Sequence, residues 1–320
     1  MFENKSDIYS FLAETALAPY AATLEEFCLP AVAFQAGAKP VAARFGGLPD
    51  LPPDLAWPVR NGYEGGGVIA DKLKRGDEVA EALTTPLPLE FVAEIDLAEI
   101  AQLEALGDFL PFEGRLLFFW DGICGPWIDS AASCRVIWDR SSPARRAARE
   151  IPAALRTMMT RTERNGFNPP KFASLLQVWT MPDRGQFKDM IDDDDILDAL
   201  NSDDADEVFD AQMDLGLTQL QSGRAVLPHR VGGWPYPEQW DPRFTAAASA
   251  KGVMKLFQRQ PNAVERAACE AEMHDWTLLL QVGLADVTRD FAEGTVYFVI
   301  RKADLAKRDF SRVHAIYQQT

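Results

Sequence analysis

Five groups of residues in this 320-residue chain have the types and surroundings for chemistry. Glu94 is a carboxylate inside the apolar run Phe91-Val92-Ala93-Glu94-Ile95. A carboxylate so placed could act as a general base or hold a cationic group, and it could equally make a structural hydrogen bond to a neighbouring loop. His229 precedes Arg230 and a Gly-Gly pair, with Trp234, Tyr236, Trp240 and Asp241 nearby. It could switch charge near neutral pH or contact a ligand, or simply tie the loop to backbone carbonyls. Arg44 and Arg230 each stand two residues before a Gly-Gly pair and could clamp an anion together or pair with local carboxylates. Cys124 lies in Gly122-Ile123-Cys124-Gly125-Pro126, a turn-like setting for a thiol. The chain has only three scattered histidines, so a Cys–His nucleophile has little support. The acidic run Asp192–Asp195 invites a calcium reading, which fails because Leu197 takes the sixth position and Asp203 the twelfth. The default there is a solvated helix face backed by Ile191, Ile196, Leu197, Leu200, Val208 and Phe209.

These residues sit in blocks that occur twice. Arg44-Phe45-Gly46-Gly47-Leu48-Pro49 is answered by Arg230-Val231-Gly232-Gly233-Trp234-Pro235. Glu90–Ile100 is answered by Thr277–Val287, and the strand-like run from Gly114 by the one from Gly294. Offsets of 186 at the glycine pairs, 187 from Glu94 to Gln281 and 180 from Gly114 to Gly294 keep the order and nearly the spacing. A repeat of this kind predicts two strand-rich halves, about 31–139 and 224–317, joined by a charged segment 140–223. Within each central block, strict alternation puts Phe91, Ala93 and Ile95 on one face, with Glu94 and Val92 on the other. The second copy likewise puts Leu278, Leu280 and Val282 opposite Gln281 and Leu279. The third block is apolar almost throughout and reads as a strand buried on both faces. The Gly-Gly loops, stiffened by prolines and flanked by Trp57, Trp234 and Trp240, would border a groove between the halves.

Around these blocks, 6–27 reads as mostly helical, capped by Ser6 or Asp7 and interrupted at Pro19. Helices are also expected over 97–106, 143–164 and 262–273, and strands over 31–34, 41–45, 135–139 and 174–180. Residues 61–88, with the run Gly65–Gly67, read as an excursion with a flexible turn.

A net charge of −16 argues against a general nucleic-acid binder. Twelve acids and no Lys or Arg lie between Asp189 and Asp214, after a stretch holding seven arginines from Arg140 to Arg164. The acidic face could pair with that stretch or dock a basic partner. Cys28, Cys124, Cys134 and Cys269 show no C-x-x-C spacing, so a zinc site is not expected and buried, reduced thiols are. The absence of a signal-like start and of a long apolar run gives the expectation of a soluble cytoplasmic protein, away from membranes.

At FGGLPDLPP with Trp57-Pro58, FVAEIDLAEI, GRLLFFWD, HRVGGWPYPEQWDPR, WTLLLQVGLADV and GTVYFVIRKADLAKRDFSRV, the chain resembles the YwqG-like family of bacterial proteins. The resemblance implies an internally duplicated α+β fold in a single domain, 1–320, with pseudo-symmetric halves and flanking helices. It carries no established activity. Family members usually have Gln where this chain has Glu94, and a Trp-Gly-Asp-x-Gly stretch where it has Thr288–Gly294.

Together these readings favour a non-catalytic binding protein needing no cofactor and no metal. Its partner would be a basic protein or a small polar ligand, and its candidate contacts Arg44, Trp57, Glu94, Arg230, Trp234, Trp240 and Gln281. The alternative is a hydrolase-like enzyme working in the groove on a small polar substrate, with Glu94 as base and His229 assisting.

Overall fold

In the computed structural model, all residues are described except 38–39, 66–70, 72–76, 216, 254–260 and 320. Gly66 and Gly67 of the expected flexible turn therefore lie outside the described residues. Ten strands make one antiparallel sheet: β1 (Leu29–Ala36), β2 (Ala43–Phe45), β6 (Glu90–Asp96), β7 (Arg115–Trp120), β8 (Cys134–Asp139), β10 (Lys171–Thr180), β11 (His229–Gly232), β12 (Trp276–Gly283), β13 (Thr295–Arg301) and β14 (His314–Gln318). Their order is β14-β13-β12-β11-β1-β10-β2-β6-β7-β8. Short pairs β3 (Asp50–Leu51) with β9 (Ala147–Ala148), and β4 (Val59–Arg60) with β5 (Leu87–Pro88), stand apart.

The sheet nearly closes on itself. Ala315 in the end strand β14 bridges to Ser130, just ahead of the opposite end strand β8. Phe118 of β7 meets Phe298 of β13 edge-on at 5.1 Å, although six strands separate β7 and β13 in the sheet. The interior holds one apolar cluster drawn from both ends of the chain, including Phe34, Phe45, Ile95, Phe118, Val282 and Phe298. Closure of this kind removes exposed strand edges and leaves two chemically distinct surfaces, an apolar inside and an outside covered by helices and loops.

Strict alternation fails in both central strands, for one reason. The β6–β7 register shifts between Phe91 and Ala93, and the β12–β13 register shifts between Leu278 and Leu280. One extra residue in a strand turns every side chain before it to the other face. Ala93 and Ile95 enter the interior, while Phe91 lies outside with Leu117 and Phe119, on Glu94's side. Leu280 and Val282 likewise point inward, and Leu278 packs outside with Tyr297 and Ala246–Ala248. The third blocks are buried along their whole length, as an apolar run without alternation requires.

The helices differ from expectation mainly at their ends. The first is Lys5–Ala13, and its N-cap is Asn4 rather than Ser6 or Asp7; the Asp7 carboxylate accepts the Asn4 backbone N–H at 2.9 Å. Pro19 falls in a tight turn, Ala18–Tyr20, before a second helix, Ala21–Glu26. The helix expected over 97–106 stops at Ile100 and gives way to a kinked turn whose Gly107 has φ 45°. The one expected over 143–164 spans only Ala153–Arg161, because Pro152 is its N-cap and biases Ile151 towards extended backbone. Asn262 caps Ala263–Met273 and exchanges hydrogen bonds with Glu265 at 3.0 Å each way. Helices Asp194–Leu200 and Asp203–Leu215 pack Ile196, Leu200, Ala205, Val208 and Phe209 against Ile8, Leu12 and Leu24, which leaves the acids outside. No helix among the described residues is long and apolar enough to cross a membrane.

Candidate functional site

The candidate residues fall on both surfaces of the closed sheet. Arg44 of β2 and Glu94 of β6 are register partners on the outer face, and Arg230 of β11 and Gln281 of β12 are partners in the same way. Glu94 is held between two guanidiniums: Arg44 Nη2 is 2.7 Å from Oε2, and Arg115 Nη1 is 2.9 Å from Oε1. Arg44 also reaches Asp50 at 2.9 Å, and the fully buried Arg115 reaches Asp139 at 2.8 Å. Burial works to raise the Asp139 carboxyl, but hydrogen bonds from Ser141 and Arg115 override it and hold the group below its usual range. With an arginine on each oxygen, Glu94 is arranged to fix strand to loop.

Gln281 does the matching work with an amide. Its Oε1 accepts the Tyr236 N–H at 3.0 Å, and its Nε2 donates to the Tyr236 carbonyl at 3.1 Å, which pins the second Gly-Gly loop. Trp234 is buried and donates to Phe27 O at 2.7 Å; Trp57 donates to Leu89 O at 2.7 Å. Trp240 is exposed and bonds Thr245.

His229 lies in the interior, fully buried and stacked on Phe45 with ring centroids 3.8 Å apart. Its Nε2 is 3.3 Å from Asp286 Oδ2, and Asp286 also pairs with Lys171. Burial holds the imidazole below its ordinary range against the pull of Asp286. Burial would raise Asp286, but the neighbouring His229 and Lys171 leave it lowered. The four cysteines are buried and unpaired, and burial drives the Cys124 thiol well above its ordinary range. A thiol so protonated is a poor nucleophile.

The arginines from Arg140 to Arg164 find partners away from the acidic run. Arg145 pairs with Asp54, Arg146 with Asp139, Arg156 with Glu150 and Arg161 with Glu81. Asp192–Asp195 stay exposed, and among the described residues no ion pair joins the basic stretch to the acidic one.

A cleft of about 390 Å³ opens beside the second Gly-Gly loop. Gly232 and Gly233 form one wall, Leu106 and Phe109 of the first half another, and Leu305 and Ala306 a third. Lys302, Arg308 and Asp108 are its charged groups, and Arg308 is tied to the carbonyls of Asp108 and Phe109 at 2.7 and 2.8 Å. At the other Gly-Gly pair, a Cβ at Gly46 would stand 3.0 Å from Val287 O, and one at Gly47 would stand 3.0 Å from Pro170.

Residues 43–318 match a family described as a domain of unknown function, DUF1963. The chain belongs to this family. A search of curated proteins finds no match to it.

In this DUF1963 protein one carboxyl displaced toward neutral pH is a residue that sequence reasoning passed over. Glu90, at the start of β6, is buried and abuts Gly122, where a Cβ would meet its Oε2 at 2.5 Å. Burial pushes its carboxyl up to about 8; Arg164 works the other way, and Asp121 and Asp290 add to the rise. Arg164 and Asp290 also line a polar cleft of about 790 Å³ with Trp127, Phe291 and Tyr317. Behind it the buried Arg60–Asp121 pair, at 2.6 Å, and Tyr63 hold the 121–124 turn. The signal available in sequence was a glutamate opening an apolar strand, which alone does not separate a buried acid from an exposed one.

Proposed function

We propose that the protein is a non-catalytic binding protein that takes a small ligand with an apolar body and one negative charge in the cleft beside Gly232-Gly233. The observation that carries the reading is the cleft itself, apolar over most of its wall, with Lys302 exposed at it and Arg308 held in place. Its volume is within the few hundred Å³ usual for small-molecule sites. The side chains that could run a reaction support the same reading by their commitments. Glu94 is locked between two arginines, His229 is sealed inside, and Cys124 is protonated.

The proposal includes the finer architecture, a YwqG-like fold made of two diverged copies. Its support is that the strand order reads the same from both ends when β1 is exchanged with β10, β2 with β11, β6 with β12, β7 with β13 and β8 with β14. The two register shifts fall at corresponding residues. So do paired contacts: the Asp96 N–H donates to Ala42 O at 2.8 Å and the Gly283 N–H to Pro228 O at 2.9 Å. The Leu97 N–H donates to Gly114 O at 3.0 Å, as the Leu284 N–H does to Gly294 O at 2.9 Å. On this reading the cleft lies between copies, where two similar walls diverged enough to leave space on one side only.

Fluorescence titration with an anilinonaphthalene sulfonate, which joins an apolar ring system to one anionic group, tests the function. The exposed Ala306 changed to Trp fills the cleft at little cost to folding, and should weaken binding by about tenfold or more, near 1.4 kcal/mol. Lys302→Glu should weaken the sulfonate and spare a neutral analogue. Unchanged binding in both variants rejects the reading.

A further inference from the structure

Arg230 is 3% exposed, yet no carboxylate pairs with it among the described residues. Its hydrogen bonds to those residues both leave from Nη2, to Trp234 O at 2.5 Å and Gln281 Oε1 at 3.2 Å. Its Nε has no acceptor. Arg44, at the corresponding place in the other half, has Glu94 and Asp50; the residues aligned with those two are Gln281 and Tyr236, both uncharged. Burial pulls the Arg230 guanidinium down to about 10, with Tyr297 and Tyr236 opposing, so it is still charged at neutral pH. A buried, uncompensated charge is costly by several kcal/mol, and an arginine cannot escape the cost by giving up its proton near pH 7.

Arg230 lines a small polar cavity of about 20 Å³ together with Thr180, Asp183, Gln212, Trp234 and Tyr236. That is room for one particle of water or halide size. Asp183 reaches the cavity, but its Oδ1 accepts the Gln186 N–H at 2.8 Å as a helix cap, and it forms no ion pair with Arg230. The geometry points to a site for one small monovalent anion of halide size, held on Arg230 in the second half where the first half supplies its own carboxylates.

Thermal unfolding in sodium chloride or bromide, set against an equal ionic strength of sodium gluconate, tests the site. Gluconate is too large for the cavity. The wild type should unfold roughly 2–4 °C higher in halide at tenfold excess over its dissociation constant. Gln281→Glu places a carboxylate where Arg230 already has a hydrogen bond, and should abolish the halide response. Arg230→Gln should abolish it too. Chloride NMR line broadening on the wild-type protein, relieved by bromide, gives a readout that does not depend on either variant folding. A wild type indifferent to halide by both measurements, or a folded Gln281→Glu that responds as the wild type does, overturns the proposal.

Discussion

At the scale of single residues, the chain separates groups that look reactive from groups whose protonation is actually displaced. Glu94 draws attention because it interrupts an apolar run, but two arginines account for it. Glu90 draws none, yet burial raises its carboxyl to about 8. An acid with a raised folded pKa binds its proton more tightly in the native state than in the unfolded chain. Its contribution is neutral below the unfolded value and becomes a growing cost as pH rises toward the folded one. Glu90→Gln should therefore gain stability relative to wild type as pH goes from about 5 to 8, by about 2–4 kcal/mol, and the difference should level off above that. Urea midpoints for the two proteins across this range check the sign. A difference that is flat with pH would show Glu90 to be solvated, and one that shrinks as pH rises would show its carboxylate to be stabilised by a partner; either overturns the prediction.

At the scale of elements, the Gly-Gly pairs govern how loops meet strands. Gly46, Gly47, Gly232 and Gly233 all have φ between 66° and 70°, a region where a Cβ is strained. Gly233 is also crowded, because a Cβ there would stand 2.6 Å from Thr180 Oγ1 and 2.8 Å from Ala31 Cβ. The Thr180 hydroxyl holds the Trp234 N–H at 2.9 Å and donates to Leu29 O at 3.0 Å, so moving it breaks two contacts. Gly37 has a similar φ of 67° with nothing within 4 Å. Gly233→Ala should cost about 3–4 kcal/mol and Gly37→Ala about 1 kcal/mol, the backbone component alone. Equal losses by chemical denaturation would mean that close approach at Gly233 contributes nothing. The register shifts at Val92 and Leu279 are the other element-scale device, since they turn Phe91 and Leu278 outward to seat the covering loops and helices.

At the scale of the whole molecule, the middle of the sheet is woven from distant parts of the chain. β1 lies between β10 and β11, while β10 lies between β1 and β2. Neither the first 150 residues nor the rest can complete its part of the sheet without a strand from the other. Fragments 1–150 and 151–320 should each lack a cooperative unfolding transition by circular dichroism, and refolding them together should restore one. A cooperative transition in either fragment alone would show that the strands pair differently. The cut falls in an exposed connection after β9, so loss of folding would report the missing strand partners.

The sequence alone determined the local pieces: the two buried strands that follow Gly114 and Gly294, and the apolar stripe beneath the acidic run. Each is written in spacing and polarity over a few residues, and those forces act locally. Tertiary structure decided which face Phe91 takes, because one extra residue in a ladder is visible only against the partner strand. It decided that Glu94 is committed and Glu90 is buried, because burial and ion pairing come from residues far along the chain, Arg115 and Gly122 among them. It also decided what lies against each Gly-Gly loop. The motif is the same in both; what differs is the wall brought up against it, Val287 at one and Leu106 with Phe109 at the other.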